Sequence, residues 1–198
     1  MGKIFYLMGK SASGKDTIFK VLKERLPELK SIVIYTTRPI RQNEKEGVEY
    51  YFVDEEKLQE FQKSGKVIEL REYNTVHGIW KYFTVDDGQF DAGDNFIAIG
   101  TLESYKEMKK YFGEERLVPV YIEVEDGVRL ERALARERTQ KTPKYEELCR
   151  RFLADSVDFS AEKLAEVGIT RKYLNVDMDK CVDEIVLGIQ DNLCYTES

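Results

Sequence analysis

Apolar, β-branched runs recur at residues 3–8, 31–36, 95–100 and 117–124, and apolar residues at helical spacing follow the first, third and fourth of them. That alternation predicts an α/β fold: a parallel sheet flanked by helices, because each parallel connection needs a crossover that a helix can supply. After the second run the pattern changes. A turn-rich stretch at 38–47 leads into short strand-like pieces at 50–53, 66–72 and 81–85, with a helical segment at 54–64 that has Asp54 as its N-cap and Gly65 as its stop. The expectation is one domain with core segments 1–34 and 91–198 and an inserted mixed-strand lobe over about 35–90. Two helices are predicted over 128–137 and 145–159, separated by a polar stretch with Pro143 that forms a candidate lid at about 138–145. A strand over 172–176 and a closing helix over 179–193, with Val182, Ile185, Val186 and Ile189 on one face, complete the pattern.

A chain of 198 residues that is 42% hydrophobic can bury one good core, and no internal repeat or low-complexity tract divides it. The three cysteines, Cys149, Cys181 and Cys194, are odd in number and form no CxxC pair, which argues against a disulfide framework or a zinc site and fits a reducing cytoplasm. No segment approaches the length needed to span a bilayer and no cleavage pattern of a signal peptide is visible, so a soluble, cytoplasmic protein is expected. A net charge of -6 opposes general nucleic-acid binding. His77 is the only histidine, which excludes multi-histidine metal sites and makes any serine or cysteine triad depend on one ring. Oligomeric state is left open.

Gly9, Gly14 and Lys15 stand at the spacing of a phosphate-binding loop, behind the apolar run 4–8 and ahead of Ile18, Val21, Leu22 and Leu26 at helical spacing. Glycines let successive amide N–H groups face phosphate oxygens at the positive end of the following helix, and Lys15 then reaches the β and γ phosphates. The bland alternative is a Gly-rich strand-to-helix turn with an exposed lysine. On the phosphate reading, Gly9, Ser11, Ala12, Ser13, Gly14, Lys15, Asp16 and Thr17 form the ATP site. The residue after Lys15 is Asp16 and the hydroxyl arrives one step later at Thr17, so these two are the Mg²⁺ candidates. Asp16 answers equally to an acidic first-turn residue favoured by the helix dipole.

The turn-rich stretch carries Thr37, Arg38, Pro39, Ile40 and Arg41, followed by Glu44, Gly47 and Tyr50. Two guanidinium forks can clamp a phosphate monoester dianion bidentately while Tyr50 donates its hydroxyl; the alternative is a solvated arginine pair. Glu69, in the apolar piece 67–70, must face a partner or water, and a base edge with N–H donors is one such partner.

In the loop 9–17 and the block 37–53 the chain resembles the guanylate kinases, and the resemblance extends over nearly the whole length. It implies phosphoryl transfer from ATP to GMP, with Mg²⁺, on a P-loop fold with an inserted monophosphate-binding lobe and a short lid. By the same resemblance Arg38, Arg41 and Tyr50 hold the GMP phosphate and Glu69 the guanine edge. Arg138 and Arg151 look similar to the family's lid arginines, and with Lys15 they would neutralise the migrating phosphoryl. Residues 129–151 hold eight basic and four acidic side chains, a net +4 within an acidic chain.

Two departures stand out. Where the family carries Gly-Asn-Tyr-Tyr-Gly-Thr, this chain reads Tyr73 Asn74 Thr75 Val76 His77 Gly78 Ile79 Trp80 Lys81 Tyr82 Phe83 Thr84, leaving Tyr73, Thr75 and Tyr82 as candidates for the missing GMP contacts or as ordinary strand residues. The family's acidic pair after the next core strand is absent from Phe96 Ile97 Ala98 Ile99 Gly100 Thr101, with Glu103 a weaker substitute just beyond. The incomplete contacts keep two other readings open: a kinase of another phosphorylated acceptor such as a ribose phosphate, and a guanylate-kinase-like protein-binding module without activity.

Overall fold

The structure is a computed structural model and describes residues 2–75, 78–90 and 93–194. Five parallel strands form the central sheet in the order β2 (Lys30–Ser31), β7 (Phe96–Ile99), β1 (Ile4–Met8), β8 (Leu117–Glu123) and β9 (Lys172–Leu174). All five β1 residues are buried, as a strand covered on both faces requires. Its alternating side chains divide between two cores. Ile4, Tyr6 and Met8 pack with Leu102, Tyr105 and Met108 of α3 (Leu102–Phe112) and Leu164 of α6 (Ala161–Glu166). Phe5 and Leu7 pack with Ile18 and Leu22 of α1 (Lys15–Arg25) and with Val182, Ile185 and Ile189 of α7 (Met178–Cys194). Each such side chain contributes roughly 1.5–3 kcal/mol of burial, so the strand that leads into the glycine loop is firmly anchored in the core.

The second sheet is mixed, in the order β4 (Tyr51–Phe52), β3 (Tyr35–Thr36), β6 (Gly78–Val85) and β5 (Val67–Thr75). α2 (Glu55–Lys63) covers one face, where Leu58 and Phe61 meet Tyr35, Phe83 and Val85. Its expected cap is present, with Asp54 accepting from the Lys57 amide, and Gly65 turns the chain out of the helix with φ 69°.

The single strand expected over 31–36 is two strands in two sheets. Ser31 pairs with Ile97 in the central sheet, and Tyr35 pairs with Tyr51 and Phe83 in the second. One apolar run spans the join, so hydrophobicity alone does not mark it. The pieces expected at 66–72 and 81–85 extend into the longer hairpin arms β5 and β6; Val76 and His77, between them, lie outside the described residues. α6, six residues capped by Ser160, is too short to announce itself by periodicity. The helices expected at 128–137 and 145–159 are α4 (Asp126–Arg138) and α5 (Tyr145–Asp158), joined by residues 139–144. No helix among the described residues is long and apolar enough to cross a membrane.

Candidate active site

The loop from Gly9 to Gly14 leaves the carboxyl end of β1, the edge at which open α/β sheets place ligands. Its glycines are needed sterically. A Cβ on Gly9 would stand 2.7 Å from the Ile122 carbonyl oxygen, and Gly14, the N-cap of α1, has φ 86° with Asn175 Nδ2 2.6 Å from where its Cβ would be. Ala12 adopts φ 61° without being glycine, a conformation that costs on the order of 1 kcal/mol and is held by its surroundings. Asn175 supplies part of that hold: Nδ2 donates to the Ser13 carbonyl at 2.8 Å, while its own backbone N–H is tied to Glu123.

Ser11 is gripped from the other side. Its amide donates to Asp155 Oδ2 at 2.7 Å and its carbonyl accepts from Arg129 Nη1 at 2.9 Å. Arg129 is fully buried, forks onto Asp126 and lies over the Phe152 ring at 4.7 Å. The loop amide thus already faces a carboxylate, and α4 and α5 are tied to the loop through one buried guanidinium. Lys15 Nζ lies 3.3 Å from Asp16 Oδ1, whose side chain is 78% exposed. An exposed pair of this kind is worth at most about 1 kcal/mol, so a phosphate displaces it readily. Asp16 and the exposed Thr17 offer a carboxylate and a hydroxyl at the head of α1, an all-oxygen donor set that fits Mg²⁺ once phosphate and water complete it. Among the described residues no group of three or more His, Cys, Asp or Glu can hold a metal unaided.

Beside the loop, a cavity of about 160 Å³ between α4 and α5 is lined by Ser11, Arg129, Arg136, Lys144, Arg151 and Phe152 among others. Arg151 lines this cavity, whereas Arg138 is exposed and absent from the lining. Arg129, Ala133 and Arg136 share one helix face at spacings of four and three, whereas Arg138 is rotated roughly 200° from Arg136. Arg136 and Lys144 line the cavity as well, and no local sequence pattern singles them out.

The second sheet has two unlike faces. One carries the aromatic core with α2. On the other, strand pairing aligns Thr36 with Phe52 and Tyr82, Tyr82 with Arg71, and Thr84 with Glu69. Arg38, two residues beyond Thr36, is 3% exposed; it forks onto Glu44 at 2.6 and 2.7 Å, bonds the Tyr82 hydroxyl through Nε at 3.1 Å, and lies 4.9 Å over the Tyr50 ring. The hydrogen bonds from Arg38 hold the Glu44 carboxyl below its usual range, and burial pushes the Tyr50 phenol up. Arg41 is exposed, with its amide on Glu44 and its guanidinium 6.0 Å from the Trp80 ring. Tyr73 is 42% exposed and packs its ring on Tyr82. Thr37 accepts from the Lys81 amide, and Thr75 donates to the Gly78 carbonyl at the far end of the hairpin, away from Arg38.

Glu69 is buried. It accepts from Arg71 Nε at 2.9 Å and Nη2 at 3.2 Å, and Oε1 also accepts from the Thr84 hydroxyl at 2.8 Å. Together with Glu103, Ser104 and Glu107 of α3, Glu69 and Arg71 line a cleft of about 400 Å³. Beside it Tyr6 bonds Ser104 at 2.6 Å, and burial pushes its phenol up to about 12, so it stays neutral. Tyr82, one of three candidates in the sequence, is the phenol that meets Arg38. Arg71 carried no signal, since a charged residue alternating along a strand reads as solvated until its partners are known.

The Glu44 shift sets a direction for pH. A carboxyl whose folded pKa is depressed contributes stability above its unfolded value of about 4.3, and that contribution disappears as pH falls through the lower folded value. Wild type should therefore lose thermal stability relative to Glu44→Gln as pH falls below about 4.3, read from paired melting curves; curves that stay parallel there would contradict it.

A family model described as guanylate kinase matches residues 1–86, which contain the glycine loop, Arg38, Tyr50 and Glu69. Guanylate kinase of Fusobacterium nucleatum is 27% identical over 190 residues, covering 95% of this chain and 89% of that protein. Guanylate kinase of Mycobacterium bovis is 38% identical over 78 residues, which cover 39% of this chain and only 36% of the relative's own length. In fold, a crystal structure of guanylate kinase from Anaplasma phagocytophilum superposes with a TM-score of 0.64 over 96% of this chain and 85% of that one, at 23% identity. The chain is thus similar to guanylate kinases, over its first 86 residues by the family model and almost from end to end by one relative.

Proposed function

We propose that this protein transfers the γ-phosphoryl of ATP to GMP, giving ADP and GDP. The observation that carries the reading is the pairing of two anion-gathering sites: a sterically required glycine loop headed by Lys15, and a buried Arg38 with Tyr50 and Tyr82 around it. In this proposal the loop amides and Lys15 hold the β and γ phosphates, while Arg151, Arg136 and Lys144 neutralise charge on the migrating group from the α4–α5 side. Arg38 and Arg41 gather the acceptor phosphate, with the Tyr50 and Tyr82 hydroxyls as further donors. The carboxylate of Glu44 preorganises Arg38 until the phosphate arrives. Glu69 meets the base. Asp16 and Thr17 would hold Mg²⁺, which when bound offsets the charge of the triphosphate. The acceptor is already an anion, so no general base is required and rate comes from positioning and charge neutralisation. Segment 35–90 and the link at about 138–145 act as the acceptor lobe and lid, and a cytoplasmic location, where ATP and free thiols coexist, belongs to the same proposal.

The test is coupled ADP production across GMP, dGMP, AMP, CMP and UMP, with Mg²⁺ and with chelator. GMP should turn over fastest and only with metal, and Asp16→Ser should raise the Mg²⁺ concentration needed for half-maximal rate. ADP at background with every acceptor would overturn the proposal; an unchanged metal requirement would remove Asp16 from it.

A further inference from the structure

Arg71 is a buried cation without a task in the mechanism above. It is 9% exposed, and its side-on nitrogens, Nε and Nη2, are spent on Glu69. Burial works against its charge, yet Glu69 together with the nearby Tyr6 and Tyr73 outweighs that and keeps it protonated. The end of the fork is different. Nη1 makes none of the hydrogen bonds found among the described residues, and Nη1 together with the remaining N–H of Nη2 gives two parallel donors on a residue that lines the cleft of about 400 Å³.

Two parallel donors call for two parallel acceptors, which a phosphate, a carboxylate or the O6/N7 edge of guanine can offer. The cleft itself decides among them. Glu69, Glu103 and Glu107 line it alongside Arg71, so a second anion would face three carboxylates against one guanidinium, whereas a neutral base edge faces no such repulsion. Adenine fits poorly, because it sets an amino donor where guanine sets O6. Register supports the placement: Arg71 pairs with Tyr82, whose hydroxyl meets Arg38, so the fork lies one strand away from the phosphate-gathering group on the same sheet face.

On the reading that the acceptor is a guanine nucleotide, we infer that Arg71 is a specificity-determining residue that donates its end-on fork to the O6/N7 edge of the base. Glu69, held in place by Arg71 and Thr84, then serves the N–H side of the same ring.

The experiment compares GMP, 7-deaza-GMP, which lacks the N7 acceptor, and AMP as acceptors for wild type and Arg71→Lys. Wild type should use 7-deaza-GMP with kcat/KM lower than for GMP by about tenfold or more, carried mainly by KM. Arg71→Lys keeps a charge beside Glu69 but loses the fork, and should bring the GMP to 7-deaza-GMP ratio close to one and narrow the GMP to AMP ratio. A structural role alone would lower all three rates together and leave the ratios unmoved. Equal use of GMP and 7-deaza-GMP by wild type, which does not depend on any variant folding, overturns the inference while leaving the guanylate kinase reading intact. Turnover of another acceptor with none of GMP overturns both.

Discussion

Lys15→Met should lower kcat for phosphoryl transfer about 10²–10³-fold, the loss typical of removing one positioned charge donor from a transition state. The substitution is informative because the loop does not depend on this side chain for its shape. Gly9 and Gly14 are demanded by close contacts with Ile122, Ser13 and Asn175, and Ser11 is held by Asp155 and Arg129. Lys15 Nζ contacts only the exposed Asp16 among the hydrogen bonds of the described residues. Folding should accordingly be unaffected, and ATP should still bind through the loop amides with an affinity reduced less than the rate. Single-turnover rates with GMP, alongside ATP titration and melting temperature, separate these quantities. A kcat within about threefold of wild type, on the scale where one donor is worth orders of magnitude, would remove Lys15 from the chemistry.

The second large effect is expected from Arg38→Met. It strips the acceptor side of its buried guanidinium and strands the Glu44 carboxylate, whose side chain is 16% exposed. Breaking a buried pair from one side costs about 3–5 kcal/mol, and partial exposure of Glu44 brings the figure here to about 2–3 kcal/mol. The kcat/KM for GMP should fall about 10²-fold or more, since charge-assisted hydrogen bonds are worth about 1.5–3 kcal/mol each. Stability and recognition can be parted by Arg38→Met with Glu44→Gln. The double variant removes the stranded charge and should recover most of the melting temperature, yet stay below roughly a tenth of wild-type kcat/KM because no fork remains. Recovery of acceptor use along with stability would show that Arg38 is a structural cation only.

Several candidate site residues were visible as local patterns. The apolar run 4–8, the glycines at 9 and 14, and the helix that follows belong to one short stretch, and the close contacts around those glycines explain why no other residue would do. Asp54 and Gly65 marked α2 for the same reason, since a cap and a stop act within a turn of the helix they bound. Arg38 and Tyr50 could be paired from sequence because a turn-rich block joins them. Tyr82 could not be chosen over Tyr73, because the choice depends on which strand lies beside β3. Arg136 rather than Arg138 lines the α4–α5 cavity because residues two apart on a helix point to opposite sides, and which side faces the cavity is set by where α5 packs.

What the chain determined by itself is therefore the set of local commitments: the alternation of strands and helices, the glycine loop, the arginine turn and the helix caps, each depending on residues within a few positions of one another. What only the tertiary structure decided is the sharing of one apolar run, 31–36, between two sheets, the burial of Glu69 against Arg71 and Thr84, the capture of the Ser11 amide by Asp155, the meeting of Tyr82 with Arg38, and the placing of Arg136 in the α4–α5 cavity. These depend on strand register and helix phase, which are set by packing between segments far apart in the chain and leave no mark on the local pattern.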